Sequence, residues 1–521
     1  MSFKKIFITN QLNTYFCHLN FFEFNQTPIM IQIVNKIVQP DVRKKAIERF
    51  REKKIILPSF AQMKDPQLIP DKVKSKLKNI GLWELDPLNL FRINWHNEPK
   101  EKGGLFGDVN YLELPKEITG VDARIVLIVG KWFPTGAHKV GAAYGCLAPR
   151  IISGEFDPTY HKAVWPSTGN YCRGGAFDSY LMGCTAVAIL PEEMSKERFE
   201  WLKEIGAEVI ATKGCESNVK EIYDACWDIR KNRKDCIIFN QFDEFGNPCW
   251  HYNVTGSALD EVFNKIKSKG SKLAGYVSAT GSAGTIAGGD YLRTLHPHIK
   301  VVASEALQCP TLLMNGFGGH RIEGIGDKHV PWVHNVKNTD VVVAVDDEDC
   351  MRIFRLFNEK EGKEYLKSTG IESDLINSLE LLGISGISNM LSAIKTAKLF
   401  EMTSEDIIMT IATDSAVMYQ SRLEELNSER GAYSQVQSIK DYEKCLMGAA
   451  CDHIKELTYN DRKMIHNLKY FTWVEQQAKE IEDLNQLWYD REIWEQIFKQ
   501  NEVLDEMISQ FNEETGVLKN L

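Results

Sequence analysis

The chain has no run of about eighteen apolar residues, the length a bilayer-spanning helix needs. Its first thirty residues are rich in Phe and Asn, yet they hold neither a continuous apolar core nor a small-residue cleavage site, so a secretory signal is not expected. No Cys-x-x-Cys occurs among the 12 cysteines, and no Cys/His spacing suits zinc; Cys445 and Cys451 are the closest pair outside the middle region. The expectation is therefore buried, reduced thiols in a cytoplasmic protein without a structural metal. Excess positive charge is missing too. With 62 Lys and Arg against 71 Asp and Glu, the formal charge of −9 argues against a nucleic-acid partner. Repeats and low-complexity tracts are absent.

What is present is an ordinary globular composition, 43% hydrophobic and 26% charged, over 521 residues that can bury large cores. Residues 1–29 read as a leader, disordered or misassigned, with Met30 as an alternative start. Residues 30–120 form an N-terminal extension, with a basic helical stretch at Val42–Lys54 and a Pro/Gly-punctuated loop at Glu98–Gly107. From Arg124 short apolar runs alternate with helical patterns. Strands are predicted at Arg124–Val129, Ala163–Pro166, Thr185–Leu190, Glu208–Ala211, Cys236–Phe239, Ala274–Ser278 and Lys300–Ser304. Helices are predicted from Ala137, from Gly174, after Ser195 as a cap (ending at Gly206), and from Ser217. This alternation indicates an α/β fold with a largely parallel sheet. Near residue 425 the pattern breaks. Residues 426–521 are charged, contain no proline or strand-like run, and read as a helical extension, either a packing arm or an oligomer contact.

Four segments carry chemical promise. Phe133-Pro134-Thr135-Gly136-Ala137-His138-Lys139 sets a lysine in a small-residue turn before Gly141, Ala142, Ala143 and Gly145. An amine partly removed from water at such a turn is more nucleophilic than a surface amine, as a Schiff-base lysine requires. Ser167-Thr168-Gly169-Asn170 follows a strand and precedes a helix, so its hydroxyls and backbone amides suit a carboxylate; an ordinary helix cap is the alternative. Ala279-Thr280-Gly281-Ser282-Ala283-Gly284-Thr285 also joins a strand to a helix. Lacking both the Gly-Lys-Ser/Thr and Gly-x-Gly-x-x-Gly patterns, it suits a single phosphate better than a nucleotide, with a tight packing turn as the alternative. In the fourth, the apolar strand from Ile408 runs into Thr413-Asp414-Ser415, whose hydroxyls stand at a strand's carboxyl end.

In this order the four resemble the fold-type II pyridoxal-phosphate enzymes, and most closely the cysteine synthase and cystathionine β-synthase family. Connecting segments extend the likeness over residues 120–425: Phe239-Asn240-Gln241-Phe242-Asp243 with Asn247-Pro248 and Thr255-Gly256, Ile322-Glu323-Gly324-Ile325-Gly326, Gly383-Ile384-Ser385-Gly386, and Asp414-Ser415 with Tyr419. The resemblance implies a two-lobed, tryptophan synthase β-like α/β fold, with one lobe at 121–260 carrying the lysine and another at 261–425 carrying the phosphate loop. It implies pyridoxal 5′-phosphate as cofactor, held by Lys139 as the Schiff base and later the acid/base at Cα. Asn170 would bond the 3′-oxygen, and Gly281, Ser282, Ala283, Gly284 and Thr285 would cradle the phosphate. Ser415 would face the pyridine nitrogen and, being neutral, would favour elimination at Cβ over transamination. Ser167, Thr168, Gly169 and Gln241 would hold the carboxylate of a small amino-acid substrate. A homodimer is the expected assembly.

Departures mark the substrate pocket. Thr-Gly-Ala-His-Lys is more similar to tryptophan synthase β chains than to cysteine synthases, and Tyr171 stands where the latter have Thr. The position of Gly174 is shared with serine/threonine dehydratases. Tyr171 is therefore expected to set substrate choice, with burial behind the loop as the alternative. Neither a haem-ligand segment nor a paired regulatory repeat is visible, so no haem is expected. The implied reaction is β-replacement or β-elimination on a serine-like amino acid, for example O-acetylserine to cysteine. A dehydratase and a catalytically silent scaffold are the alternatives.

Overall fold

The computed structural model describes residues 36–521 apart from Thr168, Ser195, 215–218 and Asp327. The leader with its alternative start at Met30, the carboxylate contact of Thr168, the cap at Ser195 and the helix start at Ser217 lie outside the described residues.

Among the described residues, eleven strands form two sheets. The larger takes β1 (Tyr111–Leu114), β2 (Arg124–Val129), β7 (Lys272–Ala279), β8 (Lys300–Ala306), β9 (Val341–Val345), β10 (Asp406–Ala412) and β11 (Ile454–Glu456) in the order β1-β2-β10-β7-β8-β9-β11. Its inner strands pair in parallel, and only the edges β1 and β11 run antiparallel to their neighbours. Apolar runs dictate this: Ile125–Val129 is buried residue after residue, as is all of β9, because helices cover both sheet faces. The smaller sheet, all parallel, takes β3 (Lys162–Pro166), β4 (Thr185–Pro191), β5 (Glu208–Thr212) and β6 (Cys236–Ile238) in the order β5-β4-β3-β6. Sheet membership does not follow chain order, since β2 precedes the small sheet yet lies in the large one beside β10.

Two expectations are corrected. The helix expected from Gly174 begins four residues earlier and spans Asn170–Leu181. Gly174 marks close approach rather than a helix start: a Cβ there would lie 2.7 Å from the Cα of Val140, on the neighbouring helix Lys139–Ser153. The C-terminal region is helical except for β11, where Ile454 pairs with Val343 on the sheet's outer edge. The charged Lys455 and Glu456 blunt that edge against further pairing.

The last long helix, Ile493–Thr515, lies on the N-terminal extension. Phe511 meets Phe50 edge to face at 5.1 Å, and Arg43 pairs with Glu514 at 2.5 Å. Asp505 accepts the amides of Phe60 and Ala61, so the two terminal regions close over one another. No helix among the described residues is long and apolar enough to cross a membrane.

Candidate active site

Loops leaving the carboxyl ends of β3, β7 and β10 converge, as crevices in open parallel sheets do. Lys139 is the first residue of its helix. The turn before it is bent by Thr135, at φ 67°, a left-handed conformation that a β-branched residue adopts only when its surroundings impose it. The Lys139 Nζ donates to Ser282 Oγ at 3.1 Å. Asn247 Nδ2 donates to the same oxygen at 3.1 Å and to the Gln241 carbonyl at 2.9 Å. With both lone pairs of Ser282 Oγ engaged, its hydroxyl proton is left to donate to an incoming acceptor.

From the second loop, Ser167 Oγ accepts from Gln241 Nε2 at 3.1 Å and from the Gly169 amide at 3.2 Å. Asn170 Nδ2 donates to Asp414 Oδ2 at 2.6 Å, an oxygen that also accepts from Tyr419 Oη at 2.6 Å. The other end of that amide, Asn170 Oδ1, is buried and has no hydrogen-bond partner among the described residues. An acceptor held in that state invites a ligand donor.

Lys139, Ser167, Asn170, Tyr171, Gln241, Gly281 and Ser282 thus share one small cavity. The remaining expected residues lie around it. Ala283, at φ 58°, is the left-handed residue of its loop. Thr285 is tied to Ser278, hydroxyl to hydroxyl at 2.7 Å, and Gly284 packs so closely on Asn247 that a Cβ would fall 2.0 Å from its Oδ1. The loop therefore aims Ser282 inward while its flank is locked to the sheet. Ser415 is placed differently from its expected role: it lines a separate cavity of about 580 Å³ with Trp83 and Trp132, while Thr413 is in the wall beside Lys139. Both residues lie past the end of β10 (Asp406–Ala412), where the chain leaves the strand and its two-residue alternation no longer keeps i and i+2 on one face.

Thr413 also contacts His138, Oγ1 to Nε2 at 3.2 Å. Burial, and then the adjacent Lys139 charge, push that imidazole well below its usual range, so it is neutral. Tyr171 is buried, its ring edge-on to Trp165 at 5.3 Å, although it also reaches the cavity wall. Sequence reasoning by segment did not single out Phe242, Gly324 and Gly326, which complete the wall; their only signal was membership of the connecting motifs.

A family model described as "Pyridoxal-phosphate dependent enzyme" matches residues 131–372. A probable cysteine synthase of Bacillus subtilis is 27% identical over 318 residues, covering 61% of this chain and 94% of the relative. The cystathionine beta-synthase of Saccharomyces cerevisiae is 26% identical over 328 residues, 60% of this chain and 59% of its own. Among solved structures, O-acetyl serine sulfhydrylase isoform 3 of Entamoeba histolytica superposes with a TM-score of 0.53 at 20% identity, over 65% of this chain and 94% of that one. An O-acetylserine-dependent cystathionine beta-synthase of Helicobacter pylori gives 0.51 at 20%, over 60% and 95%. At such identity the structural likeness speaks for the fold.

Proposed function

The chain belongs to the pyridoxal-phosphate-dependent enzymes of fold type II, and on that premise we propose that it performs β-replacement on a serine-like amino acid, with O-acetylserine and sulfide giving cysteine as the leading example. The observation that carries this reading is the meeting of Lys139 Nζ with Ser282 Oγ, 3.1 Å apart, inside a cavity also walled by Ser167, Asn170 and Gln241.

The groups present fit pyridoxal phosphate. Lys139 supplies the amine for the aldehyde, the Ser282 proton and the loop amides suit the phosphate, and the orphan Asn170 Oδ1 awaits a donor. When bound, the cofactor supplies an electron sink for the substrate's Cα. The protein does the rest. Ser167 and Gln241 are mutually bonded and can turn those donors to a substrate carboxylate, holding the Cα–H bond toward Lys139. The Lys139 Nζ then takes the Cα proton and later returns it. His138, neutral beneath the lysine, adds no competing charge. For the pyridine nitrogen, Thr413 and Ser415 are the two available hydroxyls; Thr413→Val and Ser415→Ala, compared by cofactor absorbance, identify which one matters.

The test is direct. Purified protein reconstituted with pyridoxal phosphate is given O-acetylserine with and without sulfide, and cysteine and pyruvate are measured. Cysteine as the main product supports β-replacement. Pyruvate formed irrespective of sulfide would make the protein a dehydratase, and no turnover with any β-substituted serine would leave a binding scaffold.

A further inference from the structure

The C-terminal region, outside the matched family segment, holds a lysine that chain folding has removed from water completely. Lys469 has no exposed surface, and its Nζ donates to two backbone carbonyls, Trp332 at 2.9 Å and His334 at 2.7 Å. Keeping an ammonium in such a place is costly, and burial lowers it to about 7. A buried leucine or methionine would fill the volume without that cost, so the two bonds are the reason a lysine stands there.

Those bonds bracket Val333, and the amide of Val333 donates to the Phe242 carbonyl at 3.2 Å. Phe242 lies in the cavity wall next to Gln241, whose amide holds Ser167. Two further contacts from the same region converge here. Trp473 Nε1 donates to the Val330 carbonyl at 2.8 Å, and Lys479 pairs at 2.9 Å with Asp243, the residue after Phe242. The segments 330–334 and 241–243 are thus fastened from outside by three side chains of the C-terminal region.

We propose that Lys469 is a positioning residue for substrate: by bracketing Val333 it sets where Gln241 and Phe242 stand against Ser167, so that the C-terminal region completes the substrate side of the site. The proposal rests on the reading that Ser167 and Gln241 hold the substrate carboxylate.

The experiment uses the full-length protein loaded with pyridoxal phosphate, as wild type, Lys469→Met and Lys479→Met. Steady-state kinetics with O-acetylserine and sulfide are measured beside cofactor affinity and the amino acid's own dissociation constant, read from the change in cofactor absorbance. Lys469→Met should raise the KM and dissociation constant for O-acetylserine by about tenfold, with kcat reduced less and cofactor affinity within about twofold of wild type. Lys479→Met, on a partly exposed pair, should move KM the same way by a smaller factor, and it serves alone if Lys469→Met does not fold. Unchanged KM and dissociation constant in the folded variants, whatever their melting temperatures, would overturn the proposal and leave a purely structural clamp. If wild type binds O-acetylserine without turning it over, the proposed activity fails while the dissociation constants still decide the positioning role.

Discussion

The loops around Lys139 and the region around Lys469 treat a lysine in opposite ways. At the first, the amine meets a hydroxyl inside a cavity that Asn170 also lines, whose buried amide oxygen has no partner among the described residues. At the second, the amine is sealed in and donates to two main-chain carbonyls. One environment leaves groups ready for a ligand, whereas the other uses them up on the protein's own backbone. The contrast separates reactivity from position, two jobs that the same residue type can do once its surroundings are different.

Substitutions can widen or erase that contrast. The largest effect is expected from Lys139→Ala, which should lower kcat/KM by about a thousandfold or more and remove the adduct that borohydride fixes on the wild-type protein. A lysine-linked adduct surviving in the variant would move the reactive amine elsewhere. Phe511→Ala tests the other region's packing half. Removing a fully buried ring that meets Phe50 should cost about 4 kcal/mol in a denaturant titration while leaving KM for the amino acid alone. A changed KM there would show that the whole arm, rather than its clamp, governs the site.

Tyr171→Thr probes the border between the two behaviours, because its ring is both buried on Trp165 and in the cavity wall. It should lower stability by about 3 kcal/mol and shift the ranking of β-substituted amino acids toward O-acetylserine. A stability loss with the ranking unchanged would assign the ring to packing alone. The smallest effect is a slope. Lys469 releases its proton near 7 when folded and near 10.5 when unfolded, so between those values the unfolded chain binds the extra proton. Stability of the wild type should therefore rise with pH across that window, by up to about 1.4 kcal/mol per pH unit, and Lys469→Met should lose this rise. The neighbouring His334 and His466, driven by burial to about 3 and about 2, stay neutral throughout and contribute no slope of their own. Parallel melting curves for the two proteins from pH 7 to about pH 10 provide the comparison.

The strands now numbered β2, β3, β4, β5, β6, β7, β8 and β10 were legible because each is a short apolar run closed by a turn, a local property. The edge strand β11 was not: three residues, two of them charged and exposed, become a strand only because β9 offers unpaired backbone groups beside them. The start of helix Asn170–Leu181 was misplaced for a similar reason, since Gly174 and Gly175 look like a helix boundary until a second helix and the Trp165 ring are packed against them.

By itself, the order of small-residue turns and apolar strands determined the parallel α/β fold, and with it which loops meet at strand ends and that Lys139 stands among them. Short-range pattern suffices for this, because strand burial and turn conformation depend on neighbours in the chain. Only the tertiary structure decided that Thr413 rather than Ser415 shares the cavity wall with Lys139, and that Lys469 reaches a carbonyl 135 residues away behind the substrate side. A long polar side chain takes its partners from whichever segment packs beside it, and once sealed from water it must find them there.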